Sequence, residues 1–371
     1  MQNMQLLADP KKIQAFLNDL KDSNHISIDI EFMRRNTYFP EPCVMQISNG
    51  KIHTCIDLAL EIDYKELLCE IFFSNKLIIF HSCRQDLEII YMLFGKIPKN
   101  IFDTQIAASF LGYKFQIGYA ELMKEIFNIE INKSEKMTNW KKRPLTNNQI
   151  QYALNDVIHL NDLYHFLNKQ LVETKKIDYF LEEMKNFIED VDWEPQIENS
   201  WKRIRSIKSL DKNTKKTAKA IATWREKKAI ELNIPRNWIL AEKSIIELSY
   251  EFKNTNRVSL PNNKYIDKIK DFERIKIAIN EIENNDKYQS FENINVNNLK
   301  EYKKIADDLY DYYKSVSIKN NISYQVVSPK KMILNYLREK DCKSRLVSGW
   351  RRKLIDIDKV SNITESYFNL S

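Results

Sequence analysis

The stretch SIDIEF, at residues 27–32, constrains the fold more than any other because it has the pattern of a buried strand yet carries two acids. Apolar residues alternate with Asp29 and Glu31, and a strand directs alternate side chains to opposite faces. Both carboxylates therefore point to the same side of a sheet, where they repel each other and resist burial. A fold that keeps this strand must supply a group that offsets the repulsion.

Strand patterns are concentrated in the first half of the chain and helical patterns in the second half. Short apolar runs predict strands at 26–32, 43–48, 52–57 and 77–81. Helical periodicity predicts helices at 10–22, 64–74, 84–94, 103–112, 119–127 and 147–171, and then at 214–232, 242–252, 264–283, 297–315, 329–338 and 341–356. This order predicts an α/β sheet domain followed by small all-α bundles.

The charge changes sign along the chain. Residues 1–195 carry 22 Lys and Arg against 28 Asp and Glu, whereas residues 196–371 carry 36 against 23. Together with the breaks in the periodicity, this predicts a first domain at 1–195 and two helical domains at 206–286 and 294–371. A basic module joined to an acidic one indicates a polyanionic partner. A Lys-rich solvated surface is the alternative explanation of the same charge.

Several classes of protein are disfavoured by composition. The 371 residues contain no uncharged apolar run of about 18 residues, so no membrane span is expected. The N-terminus lacks the basic-then-apolar order of a secretory signal. The cysteines are scattered without a C-x-x-C pair, which predicts free thiols in a reducing, cytoplasmic setting. They are Cys43, Cys55, Cys69, Cys83 and Cys342.

Two further acids lie where they could join the first pair. Asp86 follows a predicted strand in the first turn of a helix, and Tyr152 and Asp156 lie four apart on a later helix and share one face. Each has an ordinary interpretation, as a helix-dipole acid, a rim aromatic or a surface acid. If the four carboxylates cluster, they need cations, and Mg²⁺ and Mn²⁺ prefer oxygen ligands. Paired divalent ions are the recurring device for phosphodiester hydrolysis.

Four segments resemble, in order, the motifs of ribonuclease D, a 3′→5′ exoribonuclease of the DEDD superfamily. They are SIDIEFMRRNTYFPEPCVMQIS, HSCRQDLEII, FDTQIAASFLGY and NWKKRPLTNNQIQYALNDVIHLNDLY. The resemblance covers most of residues 1–190 and implies a ribonuclease H-like mixed sheet. In one branch of the superfamily a Tyr lies four residues before the last acid, and in the other a His lies five before it. Tyr152 precedes Asp156 by four, and Gln151 occupies the other position, so the chain resembles the tyrosine branch.

The resemblance implies a site in which Asp29, Glu31, Asp86 and Asp156 hold two divalent ions, Mg²⁺ or Mn²⁺. Asp29 bridges the two ions in this arrangement, and Asp86 supports the second through water. Tyr152 orients the attacking water. The implied activity is the release of 5′-nucleotides from the 3′ ends of precursor tRNA and other small structured RNAs, by a monomer.

Four residues are candidates for substrate binding. Phe32 and Met33 could wedge the terminal base, and Arg34 could steer a phosphate. Arg143 matches a family arginine and could bind a phosphate. Core packing is the alternative for Phe32, and an ordinary surface position is the alternative for Arg143.

Other positions that match the family are interpreted as structural. Gln46 is expected to support the sheet, and Asp103, in FDT, is expected to cap the helix that follows it. His81 precedes the second acidic motif, and an isolated histidine of this kind is more often structural than catalytic.

The basic second half resembles HRDC domains, the helical modules shared by ribonuclease D and certain helicases. TKKTAKAIATWREKKAIELNIP and RNWILAEKSIIELS resemble the start of such a domain. The later segment SLPNNKYID lacks the glycine of the family's hairpin, so the sequence departs from the family at a place where that hairpin is expected to contact nucleic acid. Residues 294–371 weakly resemble a second module of this type.

Two alternative functions stay open from the residues alone. A 3′→5′ DNA exonuclease of the Werner or proofreading type shares the same metal site. A non-catalytic RNA-binding protein on a nuclease fold is the less favoured alternative, because Asp29, Glu31, Asp86, Tyr152 and Asp156 are all present.

Overall fold

The computed structural model describes residues 6–60, 64–132, 135, 138–283, 299–339 and 343–368. Its contacts divide the chain into two compact units. The sheet unit comprises Met1–Phe32, Pro42–Val191 and Ile294–Ser371, and the helical unit comprises Met33–Glu41 and Asp192–Asn293. The residues of the predicted third domain thus group with the sheet, and the division into three domains stays a prediction.

The sheet unit is built on a mixed sheet of six strands in the order β1-β4-β3-β2-β5-β6. The strands are β1 (Leu6–Leu7), β2 (His25–Met33), β3 (Glu41–Ser48), β4 (His53–Asp57), β5 (Leu77–Phe80) and β6 (Ile101–Asp103). β3 pairs antiparallel with β4, whereas β1 is parallel to β4, and β5 is parallel to both β2 and β6. The predicted mixed α/β fold is confirmed.

The helices of the two units are numbered together in chain order. They are α1 (Pro10–Asp19), α2 (Lys65–Phe72), α3 (Arg84–Phe94), α4 (Thr104–Phe110), α5 (Tyr119–Phe127), α6 (Asn147–Ile158), α7 (Leu160–Glu173), α8 (Ile177–Asp190), α9 (Lys212–Glu231), α10 (Arg236–Ile239), α11 (Glu242–Thr255), α12 (Lys268–Glu283), α13 (Leu299–Asn320), α14 (Tyr324–Val327), α15 (Lys330–Glu339), α16 (Gly349–Arg352) and α17 (Ile357–Phe368). Short 3₁₀ turns lie at Ser200–Arg203 and Arg205–Ser209.

Two predicted helices differ from the structure. The predicted helix 147–171 is divided into α6 and α7 at His159, whose φ of −99° and ψ of 1° leave the helical region. Within the predicted helix 341–356, the described residues form only the short α16, which begins at Gly349 with a φ of +59°. Residues 341 and 342 of that prediction lie outside the described residues.

The centre of the sheet explains why β2 keeps its acids. Ile26, Ile28 and Ile30 are buried and fill the core side of β2, so the alternation leaves Asp29 and Glu31 on the other face, where both side chains are half-buried. The hydrophobic effect thus fixes the register, because a shift by one residue would place both acids in the core.

The helical unit has its own core, centred on α9. Helices α11 and α12 pack against α9, and the buried Asp271 accepts hydrogen bonds from Trp224 Nε1 at 3.1 Å and Lys228 Nζ at 2.6 Å. These bonds compensate the burial of the carboxylate, which would otherwise be costly.

The segment Met33–Glu41 joins β2 to β3, yet it belongs to the helical unit. Its buried Tyr38 donates a hydrogen bond from Oη to Glu226 Oε1 at 2.5 Å. Asn233 Oδ1 accepts from the backbone N–H groups of Tyr38 and Phe39, both at 3.1 Å. Glu226 is also paired with Arg236, which neutralises its buried charge.

Two composition-based expectations can be compared with the described residues. No helix among them is long and apolar enough to cross a membrane. Cys43, Cys55, Cys69 and Cys83 are free thiols, and three of them are buried. Cys342 lies outside the described residues, and the reducing setting stays a prediction.

Candidate active site

Three carboxylates meet on the polar face of β2. Asp29 and Glu31 come from the strand and Asp156 comes from α6, and one oxygen of each lies within 4.8 Å of the others. All three side chains are half-buried. Strand alternation predicted the first pair, and the packing of α6 against the sheet brings the third acid to it.

Asp86 lies beside this group on a different element. The pairing of β2 with β5 ends at Ser27 and Ile79, so the later backbone N–H groups on that side of β2 need other acceptors. Asp86, in the first turn of α3, supplies one, because its Oδ1 accepts a hydrogen bond from Ile30 N at 3.0 Å. The side chain is 6% exposed. It is therefore held against the backbone of the residue between the two strand acids.

The carboxylates are electrostatically strained without a cation. Burial raises the pKa of Asp29 to about 6. Burial, and then the nearby charge of Asp29, raise the pKa of Asp86 well above its usual range. Both shifts mean that the folded protein disfavours the charged forms. An all-oxygen set of this kind suits a hard divalent ion such as Mg²⁺ or Mn²⁺ better than a transition metal that prefers nitrogen or sulfur ligands.

A second observation concerns the buried amide of Gln46. Gln46 on β3 is directly opposite Cys55 on β4, so their side chains share one face of the sheet. Burial, and then the charges of Asp29 and Glu31, raise the pKa of the Cys55 thiol. Gln46 is fully buried, and among the described residues neither its Oε1 nor its Nε2 has a hydrogen-bond partner. Ordered water around a bound ion would satisfy such an amide.

Tyr152 lies one helical turn before Asp156 on α6. Burial, and then the charges of Asp156, Glu31 and Asp29, raise the pKa of its phenol above the usual value. The hydroxyl therefore keeps its proton at neutral pH and is able to donate a hydrogen bond. The start of α6 is fixed by a capping box, in which Thr146 and Gln149 each bond the backbone N–H of the other.

Asp103 has the structural role that its sequence predicted, and its carboxylate does more than cap a helix. It accepts from Gln105 N and Ile106 N at the start of α4, which confirms the N-cap. It also accepts from Ser82 N at 3.1 Å and Cys83 N at 2.8 Å. These two bonds hold the turn, with Ser82 at a φ of +66°, from which α3 presents Asp86. The turn thus depends on an acid that lies 21 positions after Ser82 and 20 positions after Cys83 in the chain.

His81, in the same turn, is used in packing. Its ring nitrogens lie 2.9 Å from Thr104 Oγ1 and 3.0 Å from Ile117 O. Burial lowers its pKa, so the ring is neutral at pH 7. Both nitrogens have partners within the protein, in agreement with the structural role expected for His81.

The proposed base-wedging and phosphate-steering residues follow the strand acids directly. Phe32 is half-buried. It is the last residue of β2 that belongs to the sheet unit. Met33 and Arg34 belong to the helical unit, where Arg34 Nε donates to Tyr38 O at 3.0 Å. Contact of Phe32, Met33 and Arg34 with substrate stays a prediction.

Arg143 differs from the expectation that it binds phosphate. It forms a two-pronged pair with the carboxylate of Asp57, with Nε at 2.6 Å from Oδ2 and Nη2 bonded to Oδ1. Nη1 donates to Trp140 O and Lys142 O, and Nη2 donates to Cys43 O. Because a guanidinium has five N–H donors, none is left for a phosphate. Asp57, at the end of β4, was not identified from the sequence, where it resembles an ordinary strand-end acid.

The family assignment follows from a comparison with known proteins. Residues 4–172 match the 3′-5′ exonuclease family. This part of the chain is therefore similar to 3′-5′ exonuclease domains. This range contains every predicted catalytic residue, from Asp29 to Asp156.

Curated relatives extend the match beyond this domain. The chain is 33% identical over 252 residues to ribonuclease D of Bartonella henselae, which covers 67% of this chain and 61% of the relative. It is 35% identical over 252 residues to ribonuclease D of Sphingobium indicum, which covers 67% and 64%. The resemblance to ribonuclease D is confirmed. The matched part spans less than two thirds of the length of these relatives.

A solved structure shows the same fold over the whole chain. The crystal structure of Escherichia coli RNase D, described as an exoribonuclease involved in structured RNA processing, superposes with a TM-score of 0.82 at 22% identity. The superposition covers 99% of this chain and 100% of that one. This chain therefore shares the architecture of that structure, a mixed sheet followed by helices.

Proposed function

We propose that the protein is a metal-dependent 3′→5′ exoribonuclease that removes nucleotides one at a time from the 3′ end of RNA. The main support is that one carboxylate oxygen each of Asp29, Glu31 and Asp156 lies within 4.8 Å of the others. These residues lie in the part of the chain that matches the 3′-5′ exonuclease family. RNA is favoured over DNA because the curated relatives are named ribonuclease D.

The donor set fits divalent ions, and each acid has a defined part. Asp29, Glu31 and Asp156 would hold one ion, and Asp29 with Asp86 would hold a second, with Asp86 acting through water. When bound, Mg²⁺ or Mn²⁺ lowers the pKa of a coordinated water and stabilises charge on the leaving 3′-oxygen.

The remaining side chains orient the reactants. Tyr152 keeps its proton and donates a hydrogen bond from Oη to the attacking water, which fixes the direction of attack. Glu31 contacts the terminal 3′-hydroxyl, which restricts the reaction to chain ends. Arg143 holds the segment before α6 to Asp57 at the end of β4, and so positions the helix that carries Tyr152 and Asp156.

The substrates that we propose are the 3′ extensions of precursor tRNA and other small structured RNAs, with release of 5′-nucleotides. The protein would act on them as a monomer in the cytoplasm. The E. coli structure is described as that of an exoribonuclease involved in structured RNA processing, which supports this class of substrate.

A time course on a 3′-extended tRNA tests the proposal. The full chain should shorten the tail one nucleotide at a time in Mg²⁺ or Mn²⁺ and should stop in excess chelator. The Asp156→Ala variant should be inactive, whereas Asp162→Ala, which changes an exposed acid on α7, should trim at the wild-type rate. Full activity in chelator or in Asp156→Ala would contradict the metal mechanism. Equally rapid trimming of a matched DNA tail would contradict the preference for RNA.

A further inference from the structure

The helical unit exposes a pair of nearly parallel aromatic rings. Trp238, at 41% exposure, is the only tryptophan among the exposed large apolar side chains of the described residues. The ring of Tyr265 lies parallel to it within 13°, with the centroids 6.5 Å apart. Tryptophan offers a large apolar surface that is usually covered. An exposed tryptophan beside a second flat ring is therefore the arrangement of a stacking platform.

The two rings are held by a rigid scaffold. Ile239 and Leu240, directly after Trp238, are 1% and 3% exposed and anchor α10 in the core of the helical unit. Asn263 Nδ2 donates to the carbonyls of Trp238 at 2.6 Å and Ile239 at 3.1 Å. Asn263 Oδ1 accepts from Tyr265 N at 3.0 Å. One side chain thus ties together the two segments that carry the rings, so a ligand would not have to order them first.

The pair lies beside a lysine in a basic part of the chain. Lys264 is exposed, and its Nζ lies 4.8 Å from the centre of the Tyr265 ring. Residues 201–270, which contain both rings, carry 18 Lys and Arg against 7 Asp and Glu. Flat apolar faces within a basic surface fit a ligand that combines rings with negative charge, and single-stranded nucleic acid has this chemistry.

We propose that Trp238 and Tyr265 stack on unpaired bases of the RNA substrate while Lys264 binds an adjacent phosphate. The proposal rests on RNA being the substrate of the protein. Tyr265 and Lys264 lie in SLPNNKYID, the segment that lacks the glycine of the family's hairpin. Stacking thus gives this segment a means of binding nucleic acid without the hairpin.

Binding of a labelled single-stranded RNA to the full chain in chelator, where no trimming occurs, tests the platform. Trp238→Ala should raise the dissociation constant roughly tenfold, since the loss of one base stack has an effect of this order. Trp238→Phe, which keeps a stacking face, should stay within about threefold. Tyr250→Ala is the matched control, because Tyr250 is an exposed aromatic at 45% exposure on α11 of the same unit, and it should bind as the wild type does.

Two further readouts separate stacking from charge. Trp238→Ala should leave the salt dependence of binding unchanged, whereas Lys264→Ala should reduce the slope of log K against log salt by about one. The wild type should bind an abasic RNA of the same length less tightly than the normal RNA, and Trp238→Ala should lose this discrimination. Binding by Trp238→Ala within twofold of the wild type, or undiminished discrimination, would overturn the proposal.

Failure of the platform and failure of the proposed function give different results. Trimming by the wild type in Mg²⁺ together with unaltered binding by Trp238→Ala would reject the platform and leave the exonuclease activity standing. Weakened binding by Trp238→Ala with no trimming by the wild type would reject the activity and leave the platform standing.

Discussion

Replacing Asp29 by Asn should stabilise the metal-free protein while abolishing its activity. The Asp29 side chain is half-buried on β2, near Glu31 and Asp86, and burial raises its pKa from 3.8 to about 6. At pH 7.5 the folded protein therefore holds a carboxylate whose charge it disfavours. Asparagine has the same shape but no charge, so it removes this cost, and it also removes a proposed metal ligand.

The magnitude of the effect follows from the shift in pKa. One pKa unit corresponds to about 1.4 kcal/mol, so a rise from 3.8 to about 6 corresponds to about 3 kcal/mol. Asp29→Asn should thus raise the free energy of unfolding by about 3 kcal/mol at pH 7.5 in chelator. Few single substitutions stabilise a protein this much, because most of them are destabilising.

The pH dependence has a definite sign. Well below pH 3.8 Asp29 is protonated in both the folded and the unfolded protein, so it does not lower the free energy of unfolding. Between pH 3.8 and about 6 the unfolded chain loses this proton before the folded protein does, so the cost grows as the pH rises. Above pH 6 the cost is complete. The advantage of Asp29→Asn should therefore be small near pH 4 and constant above pH 7.

Urea denaturation followed by circular dichroism measures this advantage at pH 4, 6 and 7.5 in chelator. Asp162→Asn, an exposed neutralisation on α7, is the control and should change stability by less than about 0.5 kcal/mol. Millimolar Mg²⁺ should then stabilise the wild type and leave Asp29→Asn unchanged, because a ligand that binds only the folded protein raises its stability. The reasoning would be refuted if Asp29→Asn were less stable than the wild type at pH 7.5, or if the advantage did not change with pH.

Three other substitutions test the surroundings of the site. Arg143→Ala leaves the carboxylate of Asp57 buried without its partner and should lower the free energy of unfolding by about 3–5 kcal/mol, whereas the exposed Lys142→Ala should have little effect; equal stability of both in urea would contradict the pairing. Tyr152→Phe should keep wild-type stability and lower kcat by about 10²-fold, since it removes only the hydroxyl that orients the water; an unchanged kcat would exclude that role. Thr146→Ala breaks the capping box of α6 and should lower the free energy of unfolding by about 1 kcal/mol, measured by thermal denaturation. An unchanged melting temperature would show that the cap does not stabilise the protein.

Elements with strong periodicity were predictable from the sequence. The predicted helices 84–94 and 119–127 have the same bounds as α3 and α5, since each ends at a residue in the left-handed region, Gly95 or Asn128. β1 and β6 were missed because two and three residues are too few for a pattern. These strands form only by pairing with β4 and β5, and such long-range partners leave no local signal.

The site was predictable in pairs and not as a whole. Alternation placed Asp29 with Glu31, and helical spacing placed Tyr152 with Asp156. The meeting of the two pairs depends on how α6 packs on the sheet, and only the resemblance to a known family indicated it. The pairing of Arg143 could not be predicted for the same reason, because its partner Asp57 lies 86 positions away.

The assignment of Met33–Glu41 to the helical unit limits how the protein can be truncated. The two units are interleaved in chain order, so no single truncation yields either of them intact. Cutting after residue 195 would remove Glu226 and Asn233, which bond the side chain of Tyr38 and its backbone, and would leave a buried aromatic segment without its core. Isolation of the sheet unit would instead require a short linker in place of residues 33–41, with loss of the predicted substrate residues Met33 and Arg34, and retention of residues 294–371. Because the helical unit consists of two separate segments, a single deletion cannot remove it from the chain without also removing part of the sheet unit.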